Sequence, residues 1–175
     1  MKNRIIEDSI NRVLKKSFLE NSYCCNDDLF FAALSEIDVR YKINYLTPDF
    51  ISITSQMLTN CGAGGGNVIK IYNIDLENGK LLKNDDIFKA MSQQEYEEEM
   101  LKIWEMNKQD KYNKDRFFED CYGEYNFSYR DDLEIAFTKE TVIFIFAKNG
   151  SCGPLSIEIR KNDVKNIINS KLVRD

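Results

Sequence analysis

The sequence predicts an α+β domain, a mostly antiparallel sheet packed with an N-terminal, a central and a C-terminal helix. Three observations carry this expectation. Apolar residues recur at three- and four-residue steps near both ends and around position 100, but alternate with polar residues in most of the stretches between. The alternating runs are joined by short turn signals, Thr47-Pro48-Asp49 and Asn78-Gly79, which suit neighbouring antiparallel strands better than crossovers. The chain has 175 residues, 43% of them hydrophobic, and only two prolines, which suits one folded domain over residues 1–175 without a long disordered linker.

In the first twenty residues Ile6, Ile10, Val13, Leu14 and Phe18 form one apolar stripe between charged neighbours, the pattern of an amphipathic helix. From position 37 the period becomes two: Ile37, Val39, Tyr41, Ile43 and Tyr45 alternate with polar residues, as in a half-buried strand. A second strand from Phe50 to about Leu58 should pair with it across the Thr-Pro-Asp turn. A third, over residues 67–76, ends at Asn78-Gly79, with Leu81-Leu82 as its short return. Asn84-Asp85-Asp86 can start a brief helical turn around Ile87 and Phe88. Ser92-Gln93-Gln94-Glu95 has capping-box spacing, so a helix should run from Gln93 to about Asn107 and bury Tyr96, Met100, Ile103 and Trp104. Glu97-Glu98-Glu99 read as its solvated face. The polar residues 107–116 are expected to be the longest loop, followed by a short helix near Phe117 that ends at Gly123. Strands follow at 133–137, 141–146 and 155–159, the middle one apolar enough to be central, and a last helix from Asn162-Asp163 should bury Val164, Ile167, Ile168 and Leu172. No internal repeat is present.

Half of the eight glycines fall in Cys61-Gly62-Ala63-Gly64-Gly65-Gly66, between two apolar runs. Such a run implies a backbone that bends sharply or admits close approach. A second small-residue segment, Gly150-Ser151-Cys152-Gly153-Pro154, joins two later strands. The two bends are expected to meet at one edge of a single sheet and to form a docking surface. A nucleotide site is disfavoured because a strand, not a helix, follows the glycines, and Lys70 has no Ser or Thr after it. The five cysteines, Cys24, Cys25, Cys61, Cys121 and Cys152, lack a C-x-x-C pair, and there is no histidine, so no metal site or cofactor is expected. They read as packed thiols, or alternatively as including a Cys61–Cys152 disulfide between the two bends. A nucleophilic role for Cys61 or Cys152 lacks the usual base, and no catalytic residue is assigned. The acidic pairs Asp85-Asp86, Glu119-Asp120 and Asp131-Asp132 are adequately explained by surface solvation. The aromatics Tyr112, Phe117, Phe118, Tyr122, Tyr125, Phe127 and Tyr129 read either as core plugs or as interface anchors.

A net charge of -5 and a pI near 5.0 argue against nucleic acid and anionic membranes and favour a basic protein partner. No apolar run approaches a bilayer span, so no membrane insertion is expected. Lys2, Arg4, Glu7 and Asp8 break up any signal-peptide core. The expected location is therefore the cytoplasm, or the periplasm or cell envelope if an export signal has been removed.

The segment from Ile51-Ser52-Ile53-Thr54 through the glycines to Tyr72-Asn73-Ile74-Asp75-Leu76-Glu77-Asn78-Gly79-Lys80-Leu81-Leu82-Lys83-Asn84-Asp85-Asp86-Ile87-Phe88 resembles the RsiV-like family, DUF3298. That family carries a strand, a Gly-Gly-Ala-His loop, an N-x-D-x-x-T-G-K-x-L-x-L-x-D-L-F stretch, a helix, and late strands around Tyr-Ala-x-Gly-Pro. Phe144 to Pro154 and Leu155-Ser156-Ile157-Glu158-Ile159 look like the last part, and the resemblance covers about residues 5–172. This chain departs from it in having no histidine after the glycines and Ser151-Cys152 in place of the Tyr-Ala pair. Family members occur in the bacterial envelope, as a lysozyme-binding anti-sigma factor domain and beside peptidoglycan deacetylases. The resemblance implies a recognition domain without catalysis of its own; with the acidic charge, the expected function is a non-enzymatic protein-binding module, an inhibitor or immunity protein for a lysozyme-like cell-wall hydrolase or a toxin. The binding residues would be Cys61, Gly62, Gly64, Gly65, Gly66, Ser151, Cys152 and Gly153, with Asp85, Glu119 and Asp120 steering the basic partner. The alternative is a cell-wall or thiol-dependent hydrolase using Cys61 or Cys152.

Overall fold

The computed structural model describes residues 7–8, 10–16, 35–61, 64–111, 133–146 and 155–173. Its strands are β1 (Ser35–Leu46), β2 (Phe50–Cys61), β3 (Gly64–Asp75), β4 (Lys80–Leu81), β5 (Leu133–Phe137), β6 (Thr141–Phe146) and β7 (Leu155–Arg160). They make two antiparallel sheets, ordered β1-β2-β3-β4 and β5-β6-β7, so the α+β class is observed but the expected single sheet is replaced by two. The chain clusters into two compact units, Met1–Leu82 and Lys83–Asp175, each containing one sheet.

In the first unit, β1 and β2 pair across the expected turn, where Thr47 Oγ1 donates to Asp49 Oδ1 at 2.7 Å and the Thr47 amide to the Phe50 carbonyl at 2.8 Å. Residues opposite each other on antiparallel strands share a face. Ile51 and Ile53 of β2 and Tyr72 and Ile74 of β3 therefore form one apolar surface, with Leu76 just beyond, and Ile10, Val13 and Leu14 of the N-terminal helix (residues 10–16) pack on it. β1 departs from the half-buried reading: Tyr41 is 45% exposed, and Ile43 and Leu46 are 58% exposed. Ile43 and Leu46 lie opposite Ile53 and Ile51, on the same face as the buried cluster, but β1 is the edge strand, and alternation fixes which residues share a face, not how far across it the cover extends. A bulge between Ile43 and Tyr45 also breaks the parity, leaving Asn44 as the extra residue, whose Nδ2 donates to Thr54 Oγ1 at 2.7 Å. Past it, Leu46 pairs with Ile51, and Tyr45 pairs with Ser52 on the other face.

The β3–β4 connection is a four-residue turn rather than the tight two-residue hairpin that Asn-Gly suggests. Asp75 organises it, accepting from the Glu77 amide at 2.8 Å through Oδ1 and from Asn78 Nδ2 at 3.0 Å through Oδ2. The Gly79 amide then donates to the Asp75 carbonyl at 2.8 Å, with Gly79 at φ 70°, a conformation costly for residues with a Cβ.

In the second unit a short helix, Asn84–Ile87, precedes the long helix Gln93–Lys111. The capping box forms as expected: the Glu95 amide donates to Ser92 Oγ at 3.2 Å, while the Ser92 amide and hydroxyl donate to Glu95 Oε2 at 2.7 and 2.9 Å. These bonds, the backbone one foremost, hold the Glu95 carboxyl below the usual carboxylate range. A depressed carboxylate stabilises above its unfolded pKa, and that support is lost as pH falls through the folded value. Glu95→Gln should thus be less stable than the native chain at neutral pH, with the gap closing in acid when thermal unfolding is followed against pH. Ser92→Ala should cost about 1 kcal/mol, read by urea denaturation.

Tyr96, Met100, Ile103 and Trp104 are buried, as their spacing predicts. Trp104 meets Phe146 edge-on, at 5.5 Å between ring centroids and 86° between planes. The helix runs on to Lys111, so residues 107–111, expected to begin a loop, are helical instead. β5 and β6 keep the predicted bounds, and β6 is central, with Val142, Phe144 and Phe146 buried and Thr141, Ile143 and Ile145 half-buried on the other face. The C-terminal helix is shorter than expected, a 3-10 helix over Lys161–Val164 followed by turns, yet Val164, Ile167, Ile168 and Leu172 are all buried. The backbone of this segment is tied to the short helix: the Lys89 amide donates to the Ile167 carbonyl and the Asn169 amide to the Ile87 carbonyl, both at 2.8 Å.

Candidate functional site

Of the residues singled out from sequence, Cys61 and Gly64 face each other at the end of the β2–β3 ladder. Gly65 pairs with Asn60 and Gly66 with Thr59, so three of the four clustered glycines extend a strand instead of forming a loop. Glycine imposes no handedness on a strand, and the long β2 ladder recruits these residues even without apolar alternation. Asp85 is exposed on the short helix Asn84–Ile87. Gly62, Glu119, Asp120, Ser151, Cys152 and Gly153 lie outside the described residues, as do the aromatics from Tyr112 to Tyr129. The proposed Cys61–Cys152 pairing therefore also falls outside them. The expectation of one shared sheet edge is corrected, because Cys61 ends a strand of the four-stranded sheet whereas residues 147–154 connect β6 and β7 of the three-stranded one.

Sequence reasoning missed a groove of about 390 Å³ on the long helix, lined by Glu99, Lys102, Ile103, Glu105, Asp163, Asn166 and Ile167. Ile103 and Ile167 are buried and floor it, while Lys102, Glu105, Asp163 and Asn166 are exposed along its rim. The fold anchors its centre: Glu99 accepts from Lys102 Nζ at 2.6 Å through Oε1 and from Asn166 Nδ2 at 2.9 Å through Oε2. The bond from Lys102, together with the nearby negative charge, raises the lysine's pKa above its ordinary value. Three carboxylates, Glu99, Glu105 and Asp163, thus stand against one ammonium. An apolar floor below carboxylates can take the methylene stem of a lysine or arginine while the rim binds its charged head. The signal was present in part, since Glu99, Lys102 and Glu105 recur at helical three-residue steps. Asp163 and Asn166, more than fifty residues later, could be joined to them only by the fold. Among the described residues no group of three or more His, Cys, Asp or Glu side chains could hold a metal ion. No helix among them is long and apolar enough to cross a membrane.

These features define a class: an α+β protein with two antiparallel sheets and an acidic groove on its long helix. The fold is DUF3298-like. It is similar to a DUF3298 family protein from Pseudomonas aeruginosa PAO1, with a TM-score of 0.68 and 14% identity over 94% of this chain and 80% of the other. It is also similar to a DUF3298 family member from Bacteroides fragilis NCTC 9343, with a TM-score of 0.61 and 16% identity over 93% of this chain and 66% of the other. No family model and no curated protein matches the sequence.

Proposed function

We propose that this protein is a non-catalytic binding module that captures a basic protein partner, a lysozyme-like cell-wall hydrolase or a toxin, and blocks it by occlusion. The observation that carries this reading is the groove, whose carboxylates and isoleucine floor suit a lysine or arginine presented by another protein. The net charge of -5 supports it by favouring encounter with a basic surface. Asp85, exposed, adds to the steering field. The resemblance of the sequence to a family with a lysozyme-binding member is in line with this reading.

The test is capture of a basic lysozyme, or of the toxin encoded by a neighbouring gene, by the immobilised full chain at low and at high salt. Binding should weaken steeply with salt, and Glu105→Lys with Asp163→Lys should lower affinity at least about tenfold, since both charges sit at the rim. Absence of binding at low ionic strength removes the proposal. Cell-wall hydrolysis by the chain alone would overturn its non-catalytic half.

A further inference from the structure

We propose that β1 is a self-pairing edge, through which two copies of this chain join antiparallel about a two-fold axis at Val39. β1 stands at the end of the order β1-β2-β3-β4, so among the described residues no strand lies along its outer side. Long edges are normally guarded by charges that repel an incoming strand. The charges here are arranged to attract a copy.

The regular part of β1 runs from Ser35 to Ile43, where the bulge begins, and its midpoint is Val39. Turning this segment about its midpoint sets position 38 against 40, 36 against 42 and 35 against 43. Asp38 then meets Arg40 of the second copy, and symmetry repeats the pair. Position 36, a glutamate, falls opposite Lys42, which is exposed. The other face brings position 37, an isoleucine, against Tyr41, with Ile43 at the end of the run. Tyr41 and Ile43 are the side chains that a single copy leaves 45% and 58% exposed.

The neighbouring symmetric registers are worse. Centring on Tyr41 opposes Arg40 to Lys42, and centring on Arg40 places two guanidiniums on the axis; like charges directly opposed destabilise a strand pair. Within one copy Arg40 Nη2 lies 2.6 Å from Asp38 Oδ2, with the two side chains 69% and 50% exposed. Such an open pair holds its charges weakly and leaves them available to a partner.

Sedimentation velocity of the full chain from micromolar to near-millimolar concentration is expected to show a monomer–dimer equilibrium. Arg40→Asp and Asp38→Arg should each raise the dissociation constant about tenfold, and combining them should restore it. Val39→Cys should cross-link two copies through the new thiol under mild oxidation, because directly opposed positions lie within disulfide reach. Lys42→Cys should not, and peptide mapping separates these links from the native cysteines. Far-UV circular dichroism confirms that each variant is folded. A chain that sediments as a monomer throughout overturns the proposal. So does a dimer that ignores the single charge reversals or fails to link at position 39.

Discussion

Phe144→Ala is expected to lower folding stability by about 3–5 kcal/mol, the range for losing a large buried aromatic side chain. Phe144 is 0% exposed and sits in the middle of the central strand of its sheet. It lies opposite Ile135 on β5 and Ile157 on β7, both buried, so its ring has packed neighbours on either side within the sheet. Removing it leaves a cavity that two neighbouring strands, fixed by their ladders, can only partly close. Phe144→Leu should recover much of the loss because it retains most of the apolar volume. Ile143→Ala is the internal control. Ile143 lies next along the strand but on the half-buried face, so its truncation should cost clearly less. Urea denaturation of the three variants measures this. Equal losses for Phe144→Ala and Ile143→Ala would contradict the assignment of faces.

Ile74 offers the corresponding test in the first unit, with charge replacing cavity as the perturbation. It is 0% exposed, paired with Ile51, and belongs to the cluster against which residues 10–16 pack. Ile74→Val removes one methylene and should cost about 0.5–1.5 kcal/mol. Ile74→Asp puts a carboxylate where the neighbouring side chains are hydrocarbon, and the desolvation of an unpaired charge exceeds the stability available to a domain of this size. The four-stranded sheet should therefore fail to form. Limited proteolysis read by mass spectrometry should show cleavage within residues 35–81 for the Asp variant and protection for the Val variant. An Asp variant as resistant as the Val variant would mean that Ile74 is not enclosed.

How much of this was legible depends on what kind of signal each segment carries. β5 and β6 could be bounded from sequence because their apolar residues stop where the turn residues Thr138-Lys139-Glu140 begin. The Ser92–Glu95 cap was equally readable, since it depends on four consecutive residues. β2 and β3 are longer than read because Thr59-Asn60-Cys61 and Gly64-Gly65-Gly66 have no alternation; what extends them is the ladder itself. The long helix outran its estimate for a similar reason, since Lys108, Gln109 and Lys111 are good helix formers whose polarity suggested a loop. Near the C-terminus the spacing of Val164, Ile167, Ile168 and Leu172 correctly marked burial, but a 3-10 turn and its following turns satisfy the same spacing as an α-helix. The acidic groove was the least visible feature, because Glu99 and Asn166 become neighbours only through tertiary folding.

Each strand in either sheet pairs with its neighbour in the chain, and no connection within a sheet crosses over another strand. The ladders from β1 to β4 can therefore zip outward from their own turns, each closure fixing only a short stretch and so losing little chain entropy at a time. All of those strands lie within residues 35–81, ahead of the first residue of β5. A polypeptide leaving the ribosome can finish its first sheet before any strand of the second has been synthesised.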